Sequence, residues 1–182
     1  MRIGENDDTH GLLPMGVPAT TCETGHVLGR VLPFTAGAVA ACATLGSIAS
    51  AEVRSRWYAR LEKPVIQPPG VVFGPVWTAL YADIAVTSAI AIDRLREHER
   101  ATYERALAAN LVLNASWSWM FFRFHRLGSA VAVAAALALS SGDLVRRTAA
   151  ADPRAAAALS PYAAWCAFAT VLSAAIWRRN RR

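Results

Sequence analysis

The chain has 182 residues, of which 54% are hydrophobic and 18% charged, and it carries a formal net charge of +6. That length suits one domain, but the charge pattern excludes an ordinary soluble one, because the charges crowd between long apolar blocks. The basic excess lies in loops and tails, as expected at the edges of membrane helices, and no nucleic-acid partner is expected.

In chain order, residues 1–30 mix polar residues with Gly and Pro and read as a flexible extension. The first apolar run, Val31–Ala51, is too long and starts too late for a signal peptide. It has no charge in 21 residues, and Ala155–Trp177 has none in 23. About 20 apolar residues at 1.5 Å rise span a ~30 Å hydrocarbon core. Three further runs, Val71–Ile92, Ala106–Phe122 and Leu127–Val145, carry at most one charge each. The fold expected is therefore all-α, an integral membrane bundle of five transmembrane helices at about 31–51, 74–92, 104–122, 127–145 and 157–178.

The helices differ in what they carry. In the second, Trp77, Tyr81, Ile84 and Ser88 share a face, and Asp83 points nearly opposite Tyr81. A carboxyl inside a membrane is a functional hypothesis by default; protonation, or a bond to Thr87 or a neighbouring chain, is the structural alternative. In the third, Asn110, Asn114, Trp117 and Phe121 fall within about 60° of one another at 100° per residue. Amides are costly in hydrocarbon unless partnered, so this face must look into the bundle, as interhelical glue or as part of a cavity. In the fifth, Tyr162, Trp165, Ala169 and Ser173 form a broad face. Rows of small residues, Ala130/Ala134/Ala138 and Ala38/Cys42/Gly46, allow close helix approach within one chain or between two, so a homodimer is expected as an option.

The cysteines (Cys22, Cys42, Cys166) and histidines (His10, His26, His98, His125) make no metal-ligand spacing, and no metal is expected. No hydrolytic triad or paired carboxylates are visible either. The positive-inside rule is silent on a plain count. Ten Lys and Arg fall on the side of the first and third loops and the C-terminus, and nine of the 19 on the other. The concentrated tail, "WRRNRR" at Trp177–Arg182, favours an inside C-terminus.

Between the first two helices lies "WYARLEKPVIQPPGVVFGPVW", Trp57–Trp77. Its prolines forbid a regular helix through the connector, yet it is too aromatic for a solvated linker. Stiffened by proline, it loses little entropy on ordering. Its Trp and Tyr suit a lid over an aromatic-lined pocket, with Arg60 and Lys63 placed to meet anionic groups.

The residues here carry a resemblance. "WYARLEKP" (Trp57–Pro64), Pro68–Pro69, "FGPVWTALY" (Phe73–Tyr81), Asn114 with Trp117 and Phe121–Phe122, and "PYAAWCAFATVLSAAIWRRN" (Pro161–Asn180) resemble the TspO/translocator protein family. The likeness covers about Val31 to Asn180. It implies a five-helix bundle, often dimeric, with a ligand pocket under the first loop that takes porphyrins and haem-related tetrapyrroles, and in some members sterols or synthetic aromatic ligands. Carried over position by position, the implied pocket residues are Trp57, Pro64, Phe73, Trp77, Tyr81, Asn110, Asn114, Trp117, Trp165, Ala169 and Leu172. The chain departs from the family pattern at Val65, Ile66 and Val71, where aromatics are usual. It also has Ser118 and Trp119 where prolines are common, which implies that a kink is missing, and Ser173 and Ala174 in the sterol-recognition pattern.

The function expected is binding of a porphyrin, haem or similar hydrophobic aromatic ligand as sensor, scavenger or carrier, with no obligatory cofactor and no enzyme site. Light-dependent porphyrin breakdown and small-molecule transport are the alternatives. The expected setting is the lipid bilayer of a bacterial cell membrane.

Overall fold

The computed structural model describes residues 20–181, with side chains from residue 29 onward. Six α-helices account for most of it: α1 (Thr20–Ser50), α2 (Arg56–Arg60), α3 (Gly70–Arg94), α4 (Glu97–Ser118), α5 (Leu127–Ala151) and α6 (Pro153–Asn180). A 3₁₀ turn (Ala51–Arg54) follows α1, and a π-helical turn (Trp119–Arg123) follows α4. No strand occurs among the described residues. Most of the expected 1–30 extension, residues 1–19, lies outside them; from Thr20 to Arg30 the backbone is helical and continuous with the first apolar run.

The five long helices overrun the apolar runs, because hydropathy marks only the buried part of a rod. Their ends are polar and capped. Before α4, the Arg96 backbone N–H and guanidinium donate to Glu99, with the Arg96 Nη2–Glu99 Oε1 distance 2.9 Å, and this pairing holds the Glu99 carboxyl below its ordinary range. Asp152 opens α6 by accepting from the N–H of Arg154 (2.7 Å) and Ala155 (3.1 Å), with Pro153 in the first turn. Those N–H groups, Ala155's foremost, and Arg94 beside it keep the Asp152 carboxyl below the usual carboxylate range. Within α6, Pro161 has no N–H to offer the carbonyl of Ala157, and the Ser160 hydroxyl donates to that carbonyl instead at 2.7 Å.

Among the described residues four helices are long and apolar enough to cross a membrane: α1 (over Gly29–Arg54 with its following turn), α3, α5 and α6. α4 is less apolar than these four, because its first turns carry Glu97, Glu99, Arg100, Glu104 and Arg105 and its inner part carries Asn110 and Asn114. The outer faces are apolar, with Leu139 78% and Val112 64% exposed, which suits hydrocarbon and not water.

α5 and α6 make the most extensive helix contact, and α1 packs on both α3 and α4. Ala130 and Ala134 are fully buried in the first of these seams, and Cys42 and Gly46 are buried on α1. The small-residue rows are thus used inside the chain. Gly128 lets Trp177 lie against the start of α5: a Cβ there would stand 3.3 Å from the indole nitrogen.

The apolar interior has two parts. One, toward the α3–α4 and α5–α6 turns (the far end), is built from aliphatic residues such as Ile84, Leu107, Leu137, Leu144 and Leu159. The other, toward the first connector (the connector end), gathers Phe121, Leu172 and Ile176 with Trp57, Tyr58, Phe73 and Trp117.

Candidate functional site

The sequence places the aromatic residues of α3, α4 and α6 at one depth, and the connector closes over them. Ser55 starts α2 by accepting from the Tyr58 N–H at 3.2 Å. Two aromatic contacts hold this short helix down. The Trp57 indole stacks on His125 at 3.8 Å between ring centres, and Tyr58 packs against Phe122 at 5.8 Å. His125 reaches Trp57 from a left-handed backbone (φ 55°), which turns the chain sharply after the π-helical turn. Beyond α2 the Asn180 side chain grips the Glu62 peptide from both sides. Its Oδ1 accepts from the Glu62 N–H at 3.0 Å and its Nδ2 donates to the Glu62 carbonyl at 3.1 Å. The last turn of α6 therefore fastens the middle of the connector.

Beneath this roof lies a cavity of about 420 Å³. Phe73, Trp77 and Tyr81 of α3 form one wall. Trp117, Phe121 and Phe122 form a second, Leu172, Ser173 and Ile176 of α6 a third, and Tyr58 and Gln67 the roof. Trp77 and Trp117 lie 6.5 Å apart between ring centres, tilted by 30°, and Trp117 and Phe121 lie 5.9 Å apart. The Trp117 indole N–H donates to Ser173 Oγ at 3.2 Å, which fixes the ring's orientation. On the remaining side the lining residues Ser47 of α1 and Gly70, Gly74 and Thr78 of α3 are exposed, so the cavity opens sideways between these helices.

The roof holds one unmet polar atom. Gln67 Nε2 donates to the Tyr58 hydroxyl at 3.3 Å, but Gln67 Oε1 is buried with no partner among the described residues. A buried carbonyl oxygen without a donor is uncommon and marks a place where something else supplies one. Burial raises the Tyr58 phenol above its ordinary pKa, so Tyr58 stays neutral.

The amides of α4 do different work, one turn deeper. Tyr81 donates to Asn114 Oδ1 (2.9 Å), Asn114 Nδ2 donates to Tyr162 (3.3 Å), and Tyr162 donates to Asn110 Oδ1 (2.7 Å). Asn110 Nδ2 then donates to Ser140 (3.2 Å) and Ser141 (3.1 Å). Cys42 donates to the Leu111 carbonyl at 3.3 Å and approaches Asn114 Oδ1. One chain of bonds thus joins α1, α3, α4, α5 and α6, and every amide atom in it has a partner. Asn110 and Asn114 are glue here and do not line the cavity. Tyr81 is the shared member, lining the cavity while donating to Asn114.

The other expected residues fall as follows. Phe73, Trp77, Tyr81, Trp117 and Leu172 line the cavity. Trp57 and buried Pro64 belong to the roof's fastening, behind the lining. Trp165 packs edge-on against Phe73 (5.9 Å) and beside Phe168, so it supports the wall, and Ala169 is half-buried on the same helix. Arg60 is exposed, and Lys63 lies over the Tyr58 ring at 4.4 Å. Val65, Ile66 and Val71 point outward, at 98%, 51% and 83% exposure. Tyr58, Gln67 and Ile176 join the lining without having been singled out as site residues, and Phe121 joins it from the inward face of α4 read in the sequence. Tyr58 and Gln67 carried a signal, since both sit in the proline-rich connector. Among the described residues no group of His, Cys, Asp and Glu is placed to hold a metal ion.

The TspO/MBR family model matches residues 34–178, nearly the whole described chain. The chain belongs to the TspO/MBR family. Human translocator protein is 38% identical over 130 residues, covering 69% of this chain and 75% of that protein. The tryptophan-rich protein TspO of Archaeoglobus fulgidus is 31% identical over 147 residues, covering 79% and 92%. Protein CrtK of Rhodobacter capsulatus is 29% identical over 141 residues, covering 77% and 88%. Family membership and the apolar helices together make this a multi-pass integral membrane protein. The Ser118–Trp119 departure has a structural counterpart: regular α4 ends at Ser118 and a π-helical turn follows, so the rod is interrupted there without proline.

Proposed function

We propose that this TspO-family protein binds a porphyrin, haem or similar flat hydrophobic aromatic ligand in the chamber beneath the first connector, as a sensor, scavenger or carrier. The observation that carries this reading is the chamber itself: two tryptophans, three phenylalanines and two tyrosines around about 420 Å³, roofed by a fastened segment. Indole and phenyl faces attract a large π-system through stacking and edge contacts. A donor at the ligand's rim, such as a protonated carboxyl group, would meet the Gln67 Oε1 that lacks one. Arg60 and Lys63 stand at the outer side of the connector, where carboxylate side groups would emerge into water. The sideways opening gives a hydrophobic ligand a route from the bilayer that avoids water.

The same reading takes α4 as the fifth membrane crossing. Its stretch from Ala106 through Phe122 carries no charge, and its polar first turns stand outside the hydrocarbon. A homodimer, if formed, uses outer faces, because the small-residue rows are occupied within the chain.

Titration of purified protein with protoporphyrin IX, followed by Trp emission, tests the reading. It predicts saturable quenching at one site per chain and a loss of affinity of about tenfold or more in Trp117→Ala. Unchanged affinity in that variant removes the chamber as the site.

A further inference from the structure

The chamber beneath the connector is polar in places but carries no charge. None of its lining residues is Asp, Glu, Lys, Arg or His. Arg60 and Lys63 belong to the connector and are exposed, and neither lines the space beneath it. An ionised group drawn inside would lose its water and meet no counter-charge. Deeper polar lining is already engaged. Thr78 donates to the Gly74 carbonyl at 3.0 Å, Tyr81 donates to Asn114, and Ser173 accepts from Trp117.

The roof differs. Gln67 Nε2 donates to the Tyr58 oxygen at 3.3 Å, which leaves the Tyr58 O–H proton without an acceptor among the described residues. Gln67 Oε1 is buried without a donor among them. One donor therefore stands beside one acceptor, joined through the same amide. The pair keeps this character if the amide turns over: Tyr58 then donates to Gln67, and a Gln67 N–H and the Tyr58 oxygen are left free. Both side chains leave a fixed backbone. Tyr58 lies in α2 with its ring against Phe122, and the Gln67 N–H donates to the Pro64 carbonyl at 3.0 Å, with Pro68 next in the chain. The last torsion of a glutamine is broad, and 3.3 Å is long for a hydrogen bond, so a ligand group re-aims the amide at small cost.

Resting on the reading of the chamber as the ligand site, we propose that Tyr58 and Gln67 together read a neutral group offering one donor beside one acceptor, so that the chamber selects flat aromatic ligands carrying a carboxamide, a lactam or an un-ionised carboxyl. The N–H or O–H of such a group donates to Gln67 Oε1, and its carbonyl accepts from the Tyr58 O–H. Burial keeps the Tyr58 phenol neutral, so its proton is there to give. An ester offers acceptors only and leaves Gln67 Oε1 facing a second set of lone pairs. A carboxylate does the same and adds a charge that nothing in the lining balances. Ionised side groups of a ligand therefore stay on the outer side of the connector.

The test uses two uncharged ligands with the same ring, protoporphyrin IX diamide and protoporphyrin IX dimethyl ester. Each is titrated into the purified full chain and followed by Trp emission. The amide-to-ester affinity ratio in the wild type is compared with that in Gln67→Leu, which cancels the different partitioning of the two probes into detergent. The expected ratio is about tenfold higher in the wild type, the size of one buried hydrogen-bonding group left unmet. Tyr58→Phe keeps the ring against Phe122 and lowers the ratio in the same direction, and it decides the question should Gln67→Leu fold poorly. Equal ratios in the wild type and the variants, with binding that saturates and weakens in Trp117→Ala, overturn this inference and leave the chamber as the ligand site. Saturable binding of neither probe, or binding indifferent to Trp117→Ala, overturns the reading of the chamber and this inference with it.

Discussion

The two halves of the bundle use the same five helices to opposite ends. Toward the far end, Ala, Leu and Ile fill the space, and the polar groups among them are partnered, in the chain from Cys42 to Ser140 and in the Tyr103 hydroxyl with Ser88 and Thr148. Toward the connector, larger side chains leave a hollow of about 420 Å³ and one roof oxygen, on Gln67, without a donor. Aromatic rings are rigid and few-jointed, so a ring of them can frame a void that flexible aliphatic chains would collapse into. The contrast teaches that stability and binding are separated by depth along the rods, with Tyr81 at the boundary, lining the hollow and donating to Asn114.

The strongest way to break that comparison is Asn114→Leu. It removes the acceptor of Tyr81 and the donor to Tyr162 in one step, leaving the half-buried Tyr81 hydroxyl without its acceptor and the buried Tyr162 hydroxyl with only its bond to Asn110. Folding stability in detergent falls by about 2–3 kcal/mol, read from thermal or denaturant unfolding, and protoporphyrin affinity at low temperature changes much less. A large loss of affinity with no loss of stability would put the amides in the binding site and erase the division.

A smaller effect comes from the roof. Asn180→Ala cuts both bonds to the Glu62 peptide, and the connector opens more often. Amide hydrogen exchange around Glu62 rises roughly three- to tenfold, with the helices unaffected. Unchanged exchange would show that the Trp57–His125 stack alone holds the roof.

The smallest effect is at the far end and depends on pH. The Asp152 carboxyl sits below its usual range when folded, so the unfolded chain binds its proton more readily. Its contribution is full above the unfolded value of about 4 and fades as pH drops through the folded value. Asp152→Asn therefore flattens the acid side of the stability curve, with a melting temperature a few degrees lower near neutral pH and little difference at strongly acid pH. Equal melting at all pH values would mean that the cap contributes nothing.

Much of this was legible in the residues. Uncharged runs located the rods, because hydrocarbon demands them, and the Asn110–Phe121 face was inward as the cost of a bare amide requires. What the face could not reveal is its division. Its period puts Asn110, Asn114, Trp117 and Phe121 on one side, yet the first two meet Tyr162 and the serines while the last two meet the hollow. Depth relative to neighbouring helices decides this, and no single-helix period contains it. The roles of Trp57 and Trp165 were hidden for a similar reason: a tryptophan near a pocket and one inside it have the same letter, and only the His125 and Phe73 contacts place both behind the lining. Helix ends were missed by several residues because caps such as Asp152 and the Arg96–Glu99 pair extend a rod past its apolar part.

The most direct measurement runs Trp117→Ala and Asn114→Leu side by side, each with protoporphyrin titration and thermal unfolding. The account predicts a crossing: Trp117→Ala weakens binding about tenfold or more with the smaller change in melting, and Asn114→Leu lowers the melting temperature strongly and leaves binding nearly intact. If both variants shift both quantities in proportion, or if Trp117→Ala binds as the wild type does, the chamber is not the ligand site.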